Sequence, residues 1–323
     1  MMKITAFPYS VELATPFVIS RGARTHCNMV RVTIEHLDVQ GLGECTPYPR
    51  YGESVESVTE QIELWQAELT AMTPEQAKHA LQAKPAGAAR NALDCALWDL
   101  IAKQQDADFP APYFDVKASI ETAMTVSIGS AVSMAQQAKS YVEQGATLLK
   151  VKLDAEDIIG RVTAVREAAP NTKIVLDANE AWLGLDLERI FNDLTPLNIT
   201  MIEQPLPAGA DDALKELAHP IPLCADESCH TRAKLNQLKD CYEMINIKLD
   251  KAGGLTEALL LEQQAREMGF SIMMGCMLGT SVAMKAALPI ATNADVVDLD
   301  GPVLLGKDEV DGLNYHSGQL HLV

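Results

Sequence analysis

Residues 147–153 read Thr147-Leu148-Leu149-Lys150-Val151-Lys152-Leu153, an apolar run interrupted by two lysines. A strand repeats every two residues, so Lys150 and Lys152 share one face of it. Lysine seldom enters such a run without a partner or a task. A second run of this kind is Ile245-Asn246-Ile247-Lys248-Leu249. Further short apolar segments recur at 122–128, 173–178, 199–203, 221–225, 271–277 and 296–299. With 147–153 and 244–249 they make eight strand candidates. Helical stretches fill most of the gaps; Leu255 to Met268, for example, opens after Gly253-Gly254 and closes before Gly269. Strict alternation of this kind predicts an α/β fold, an eight-stranded parallel barrel.

The polar residues at the strand ends extend the pattern. Lys152, Asp177, Glu203, Asp226, Lys248, Gly275 and Asp298 follow one another at intervals of 25, 26, 23, 22, 27 and 23, each one strand–helix unit. Each closes its strand at the C-terminal end, where barrel enzymes place their chemistry. A lone Asp after a strand is usually a turn or helix-cap residue. Three carboxylates in successive units, flanked by lysines in register, favour function.

Asp177, Glu203 and Asp226 would lie side by side at one mouth. Clustered carboxylates repel unless a cation binds between them. An all-oxygen set suits Mg2+ first and Mn2+ second, and with no His or Cys in register zinc is disfavoured. Lys152 and Lys248, on strands two and six of eight, would face each other across the ring. A divalent ion between opposed amines suits removal of a proton alpha to a carboxylate, because the ion stabilises the enediolate that forms. One lysine would take the proton and the other return one from the opposite face. Asp298-Leu299-Asp300 ends strand eight, where two carboxylates at i and i+2 could take a cationic group of a substrate. The same residues also read as a turn before Gly301-Pro302.

Outside the barrel pattern the chain reads as α+β. Alternation over 2–15 and 28–46 predicts strands, and 54–71 and 87–103 carry helical spacing. Segment 104–118, with two prolines and no period, reads as a linker. The tail after 301 is expected to pack back on the first third. The chain has 323 residues and a formal net charge of −18, which repels nucleic acid and anionic membranes. Seven cysteines without a Cys-x-x-Cys pair read as reduced thiols of a cytoplasmic protein. The N-terminal stretch carries Glu12 and no long apolar core, so it does not read as a signal peptide. The longest weakly charged stretch, Ser271 to Met284, is too short to span a bilayer.

Several segments carry a resemblance: Glu44 to Ser54 (ECTPYPRYGES), Ala86 to Leu100 (AGAARNALDCALWDL), Leu149 to Asp154 (LKVKLD), Asp177 to Glu180 (DANE), Glu203 to Pro205 (EQP), Ala225 to Ser228 (ADES), Ile247 to Asp250 (IKLD) and Asp298 to Asp300 (DLD). Over essentially its whole length the chain resembles the enolase superfamily, in the branch with Lys-x-Lys on the second barrel strand. Within that branch it is similar to the dipeptide epimerases of the L-Ala-D/L-Glu kind. The resemblance implies a (β/α)7β modified TIM barrel over residues 116–302. It also implies an α+β capping domain over 1–115, completed by the tail 303–323. It implies Mg2+ on Asp177, Glu203 and Asp226, with Mn2+ as substitute, and acid/base catalysis by Lys152 and Lys248 assisted by Lys150. Asp298 and Asp300 would hold a dipeptide ammonium. Arg24, in a loop 20–25, would pair with a glutamate side-chain carboxylate. That loop and the one at 48–53 would close the mouth. The implied role is murein peptide recycling; a homo-oligomeric state stays open.

Other readings remain at this point. An N-acylamino acid racemase, an o-succinylbenzoate synthase or a cycloisomerase would share the superfamily, but their substrates lack the ammonium that Asp298 and Asp300 invite. A dipeptide epimerase of different specificity is also open. A Schiff-base aldolase would leave the carboxylates unexplained, and a binding protein would leave the opposed lysines unexplained.

Overall fold

The computed structural model describes residues 1–309 and 312–322. The N-terminal region is an antiparallel sheet of β1 (Lys3–Ile19), β2 (Gly22–His36) and β3 (Val39–Cys45), covered by α1 (Val55–Leu69), α2 (Pro74–Leu81) and α3 (Ala88–Lys103). Helices α1 and α2 start at capping boxes, Ser54 with Ser57 and Thr73 with Gln76. The sequence reading did not name α2, whose eight residues are too few for a clear period. Helix α3 lies close against β3: a Cβ on Gly43 would come within 2.0 Å of Ala92 O, so this site requires glycine.

After β4 (Ser119–Glu121) comes the barrel, with strands in the expected places. They are β5 (Met124–Val126), β6 (Leu148–Lys152), β7 (Lys173–Asp177), β8 (Met201–Glu203), β9 (Leu223–Ala225), β10 (Met244–Ile247), β11 (Ser271–Gly275) and β12 (Val296–Asp298). All eight are parallel and adjacent in chain order, and Ala123 N donates to Val297 O at 2.8 Å where the first strand meets the last. Helices α4 (Ala131–Glu143), α5 (Ile158–Ala168), α6 (Leu187–Leu194), α9 (Leu255–Glu267) and α10 (Ser281–Ala291) surround it. The unit after β8 carries only a 3-10 turn at Asp211–Leu214, and the unit after β9 a 3-10 turn at Arg232–Lys234 that runs into the four-residue α7 (Leu235–Leu238). Prolines 205, 207, 220 and 222 explain the first case, since each removes a donor and restricts its neighbour.

One buried residue from each strand, or from just before it, forms the barrel floor: Ala123, Leu148, Val175, Met201, Cys224, Met244, Met273 and Val296. Two positions on, the inward face carries Thr125, Lys150, Asp177, Glu203, Asp226, Asn246, Gly275 and Asp298. The apolar floor thus carries a polar ring, and strand periodicity alone puts one directly above the other.

Helix α3 also reaches the barrel. Asp94 accepts hydrogen bonds from Thr256 N and Oγ1, capping α9. Arg90 donates to Ala252 O and Gly253 O, and Asn91 to Asp250. The segment just after Lys248, including the short α8 (Leu249–Ala252), is therefore held from the N-terminal region.

The tail divides, which corrects the expectation that it returns to the first third. Gly306 N donates to Glu12 O, and Glu309 pairs with Arg31. Beyond that, β13 (Asn314–His316) and β14 (Gln319–His321) form a sheet with β4 at the floor of the barrel. Leu320 is buried in the barrel's own core, so apolar burial directs this part of the tail there.

Candidate active site

The ring opens into a cleft at the C-terminal mouth of the barrel. Lys152, Lys150, Lys248, Asp226, Asp298 and Asp300 line it together with Arg24. Register aligns the acids: Lys152 is opposite Asp177, Asp177 opposite Glu203, and Gly275 opposite Asp298. All nine expected site residues therefore lie at or beneath one mouth.

Buried carboxylates and lysines interlock there. Lys152 Nζ lies 2.6 Å from Asp177 Oδ2, and Lys248 Nζ 2.7 Å from Asp226 Oδ2. Lys150 Nζ is within 3.1 Å of Asp177, 2.7 Å of Glu203 and 2.8 Å of Asp298. Burial works against every one of these charges. For Asp177 the ammonium groups of Lys152 and Lys150 outweigh burial and hold its carboxyl well below the usual range. Lys248 and Lys251 do the same for Asp226. Burial and then Asp177 push Glu203 up to about 7. In return Asp226 raises Lys248 against its burial, and Asp298 and Glu203 raise Lys150.

Asp177, Glu203 and Asp226 meet the chemical demands of a hard divalent ion: oxygen donors, full burial and mutual repulsion. Glu203 Oε2 is buried without a hydrogen bond, although Lys150 is close in distance. Among the described residues no three His, Cys, Asp or Glu side chains already form a ligand cage. Lysine ammonium groups stand among the carboxylates instead, so they and a cation would compete for the same oxygens.

The sequence placed Arg24 in a loop; the structure places it on β2, beside the tip of the β1–β2 hairpin and paired with Phe17. The hairpin lies over the mouth. Arg21, in its turn, reaches Asn179 O at 3.0 Å, Glu180 at 3.2 Å and Glu227 at 2.9 Å. Arg50 pairs with Glu180 at 2.7 Å from the 48–53 loop. The Arg24 guanidinium rests 4.8 Å from the Tyr48 ring centre. Among the described residues it has no carboxylate partner, whereas Arg21, Lys150, Lys152 and Lys248 are each ion-paired.

On the other wall, Asp300 accepts from Thr125 N at 2.8 Å, while Asp298 Oδ1 is buried and unpartnered. Burial and then Asp298 push the Asp300 carboxyl up to about 7. Asp298, paired with Lys150 through Oδ2 alone, and Asp300 thus share the cleft with an unpaired arginine.

Several side chains at the site were given no role in the sequence reading. Asn246 donates to Glu203 at 2.7 Å, and a Cβ on Gly275 would come within 2.5 Å of its amide, so glycine leaves room for it. Lys251 is fully buried and bonds Asp226. Gln204 ties Asp226 N and Ser228 N to its own side chain. The inward period of two could have found Asn246, which shares its face with Lys248. Lys251, on the short helix beyond the strand, carried no such signal.

Residues 1–109 match the mandelate racemase / muconate lactonizing enzyme N-terminal domain, and residues 133–319 the enolase C-terminal domain-like family. The chain belongs to the enolase superfamily. Within the superfamily it is 48% identical, over the full length of both chains, to the L-Ala-D/L-Glu epimerase of Escherichia coli K12. It is also 44% identical to the N-acetyl-D-glutamate racemase of a Pseudoalteromonas species, over 90% of this chain and 92% of that one. A crystal structure of an enolase family member from Agrobacterium tumefaciens superposes with a TM-score of 0.94. It is 42% identical and covers 100% of this chain and 98% of its own. That structure is described as homologous to dipeptide epimerases, with bound sodium, L-Ala-L-Glu and an ordered loop.

Proposed function

We propose that this chain is a metal-dependent epimerase of L-Ala-D/L-Glu dipeptides. The observation that carries this reading is the charge pattern of the cleft. An unpaired Arg24 and the acidic pair Asp298/Asp300 line the same space as two opposed lysines. A dipeptide ending in glutamate presents the complement: a side-chain carboxylate for Arg24, an ammonium for the aspartates and an acidic alpha C–H between them. The relatives named for L-Ala-D/L-Glu support it.

Asp177, Glu203 and Asp226 would hold Mg2+, with Mn2+ as substitute. When bound, the ion supplies positive charge to the substrate carboxylate as proton removal makes it an enediolate. Lys152 ends strand two and Lys248 directly follows strand six, on opposite sides of the ring. One takes the alpha proton onto Nζ while the other, protonated, delivers a proton to the opposite face, which inverts the centre. Lys150, buried beneath them among Asp177, Glu203 and Asp298, keeps these carboxylates compensated and in place. The hairpin and the 48–53 loop exclude water from above. Free thiols at all seven cysteines fit a cytoplasmic setting, and the substrate fits recycling of murein peptides.

The Pseudoalteromonas relative favours a second reading, racemisation of an N-acylated glutamate. Both substrates are acyl-glutamates and both would use Arg24; the dipeptide adds one carbon and the ammonium it carries. Proton exchange in deuterated water with L-Ala-L-Glu and N-acetyl-L-Glu decides between them. Faster alpha-deuteration of the dipeptide supports the epimerase; equal or faster deuteration of the acetyl compound supports the racemase. Exchange of neither overturns both.

A further inference from the structure

Tyr48 stands between two arginines that do different things. Its ring takes the Arg24 guanidinium at 4.8 Å, and its hydroxyl accepts from Arg21 Nε at 3.1 Å and Nη2 at 2.9 Å. Arg21 in turn spans the mouth to Asn179, Glu180 and Glu227. Tyr48 is itself fixed. It is 7% exposed, it meets Tyr51 edge-on at 5.2 Å, and its backbone N donates to Glu53. Glu53 also accepts from Ala88 N at the start of α3. One rigid ring therefore touches the cation facing the cleft and the arginine that fastens the hairpin.

A long arginine side chain with no carboxylate partner loses rotamer freedom when it binds an anion. A guanidinium stacked on an aromatic face has already given up much of that freedom. Tyr48 is built to supply such a face from a rigid loop, while its hydroxyl holds the hairpin that carries Arg24.

We propose that Tyr48 is a specificity-positioning residue: its ring aims Arg24 at the side-chain carboxylate of the substrate, and its hydroxyl couples that aim to closure of the hairpin over the mouth. This inference rests on the acyl-glutamate reading of the cleft and assigns the ring and the hydroxyl separate effects.

The test is kcat and KM of wild type, Arg24→Ala, Tyr48→Leu and Tyr48→Phe on L-Ala-L-Glu and L-Ala-L-Leu. Tyr48→Leu removes the aromatic face, and the preference for the glutamate dipeptide should fall by about tenfold, the scale of a cation–π contact. Tyr48→Phe keeps the face and loses the hydroxyl. It should retain that preference and raise KM for both dipeptides by the same factor. An equal loss on both substrates in Tyr48→Leu would reduce Tyr48 to a structural residue and overturn the inference. A loss of preference in Tyr48→Phe as large as in Tyr48→Leu would overturn the division between ring and hydroxyl. If Tyr48→Leu does not fold, Tyr48→Met, unbranched and adaptable, makes the same comparison. Arg24→Ala separates the two levels. If it leaves the preference unchanged, the acyl-glutamate reading fails and takes this inference with it. If it abolishes the preference while Tyr48→Leu does not weaken it, only the role of Tyr48 fails.

Discussion

Lys150 Nζ and Asp298 Oδ2 lie 2.8 Å apart, so a buried ion pair joins the second barrel strand to the eighth beneath the mouth. Asp298 therefore serves the scaffold, apart from the ammonium-binding role proposed for it. Removing its charge would leave a fully buried lysine short of a partner, which costs stability whatever the substrate. Asp300, whose hydrogen-bond partner is a backbone N–H, is the cleaner probe of ammonium binding. Asp300→Asn should damage turnover of L-Ala-L-Glu far more than that of N-acetyl-L-Glu, as kcat/KM on the two compounds would read.

The pH dependence should differ in the same way. With its carboxyl pushed up to about 7, Asp300 is largely neutral below that value and charged above it. An ammonium substrate needs the charged form. For L-Ala-L-Glu, kcat/KM should rise with pH through about 7, and this limb should be missing in Asp300→Asn. A wild-type profile identical for dipeptide and acetyl compound would count against the assignment.

Arg24→Ala should cost L-Ala-L-Glu roughly 2–5 kcal/mol in kcat/KM, the penalty for breaking a charge pair in a closed site. L-Ala-L-Leu should lose much less.

Activity should vanish on exhaustive chelation and return with Mg2+. Glu203→Gln tests the ligand set more gently than Asp226→Asn, because Asp226 also holds Lys248 and Lys251. Calorimetric titration of Glu203→Gln should show weakened Mg2+ binding in a chain that still melts cooperatively. Full activity in chelator would refute the metal centre.

The two lysines should be distinguishable by stereochemistry. Lys152→Ala and Lys248→Ala should each abolish epimerisation, while each retains alpha-proton exchange with only one of the two epimers. Near wild-type epimerisation by either variant would end the two-base scheme.

Asp250 offers a stability prediction. It is buried against Thr46 N and Asn91, and burial pushes its carboxyl up to about 7. An unfolded aspartate titrates near roughly 3.9. The folded value is the higher one, so the stability tied to this group is present below about 4 and lost as pH rises toward about 7. Asp250→Asn should flatten that limb, and its melting temperature relative to wild type should improve between pH 4 and 7.

The barrel and its ring were legible because they follow a period. Eight apolar strands with polar C-terminal ends announce both the fold and the residues that meet at its mouth. What escaped depends on contacts between distant elements. Lys251 reaches Asp226 from a helix beyond its strand, and nothing local marks it. Arg21 and Tyr48 meet across 27 positions on two separate loops. The tail went to the barrel floor because Leu320 fits a core that no local pattern describes. The weak helices after β8 and β9 could have been anticipated in part from the prolines at 205 and 207.

The grip of α3 on residues 250–256 sets a rule for anyone recombining these proteins. Arg90, Asn91 and Asp94 finish a stretch of barrel that lies more than 150 positions later in the chain. Cutting between the two halves would leave α9 uncapped and two carbonyls unserved, right behind Lys248. The hairpin tip and the 48–53 loop meet the scaffold through side chains of their own, Arg21 to Asn179, Glu180 and Glu227, Arg50 to Glu180 and Glu53 to Ala88 N, and a donor segment would have to keep these. A chimera meant to acquire a new substrate should import those two segments alone and leave α3 with the barrel it completes.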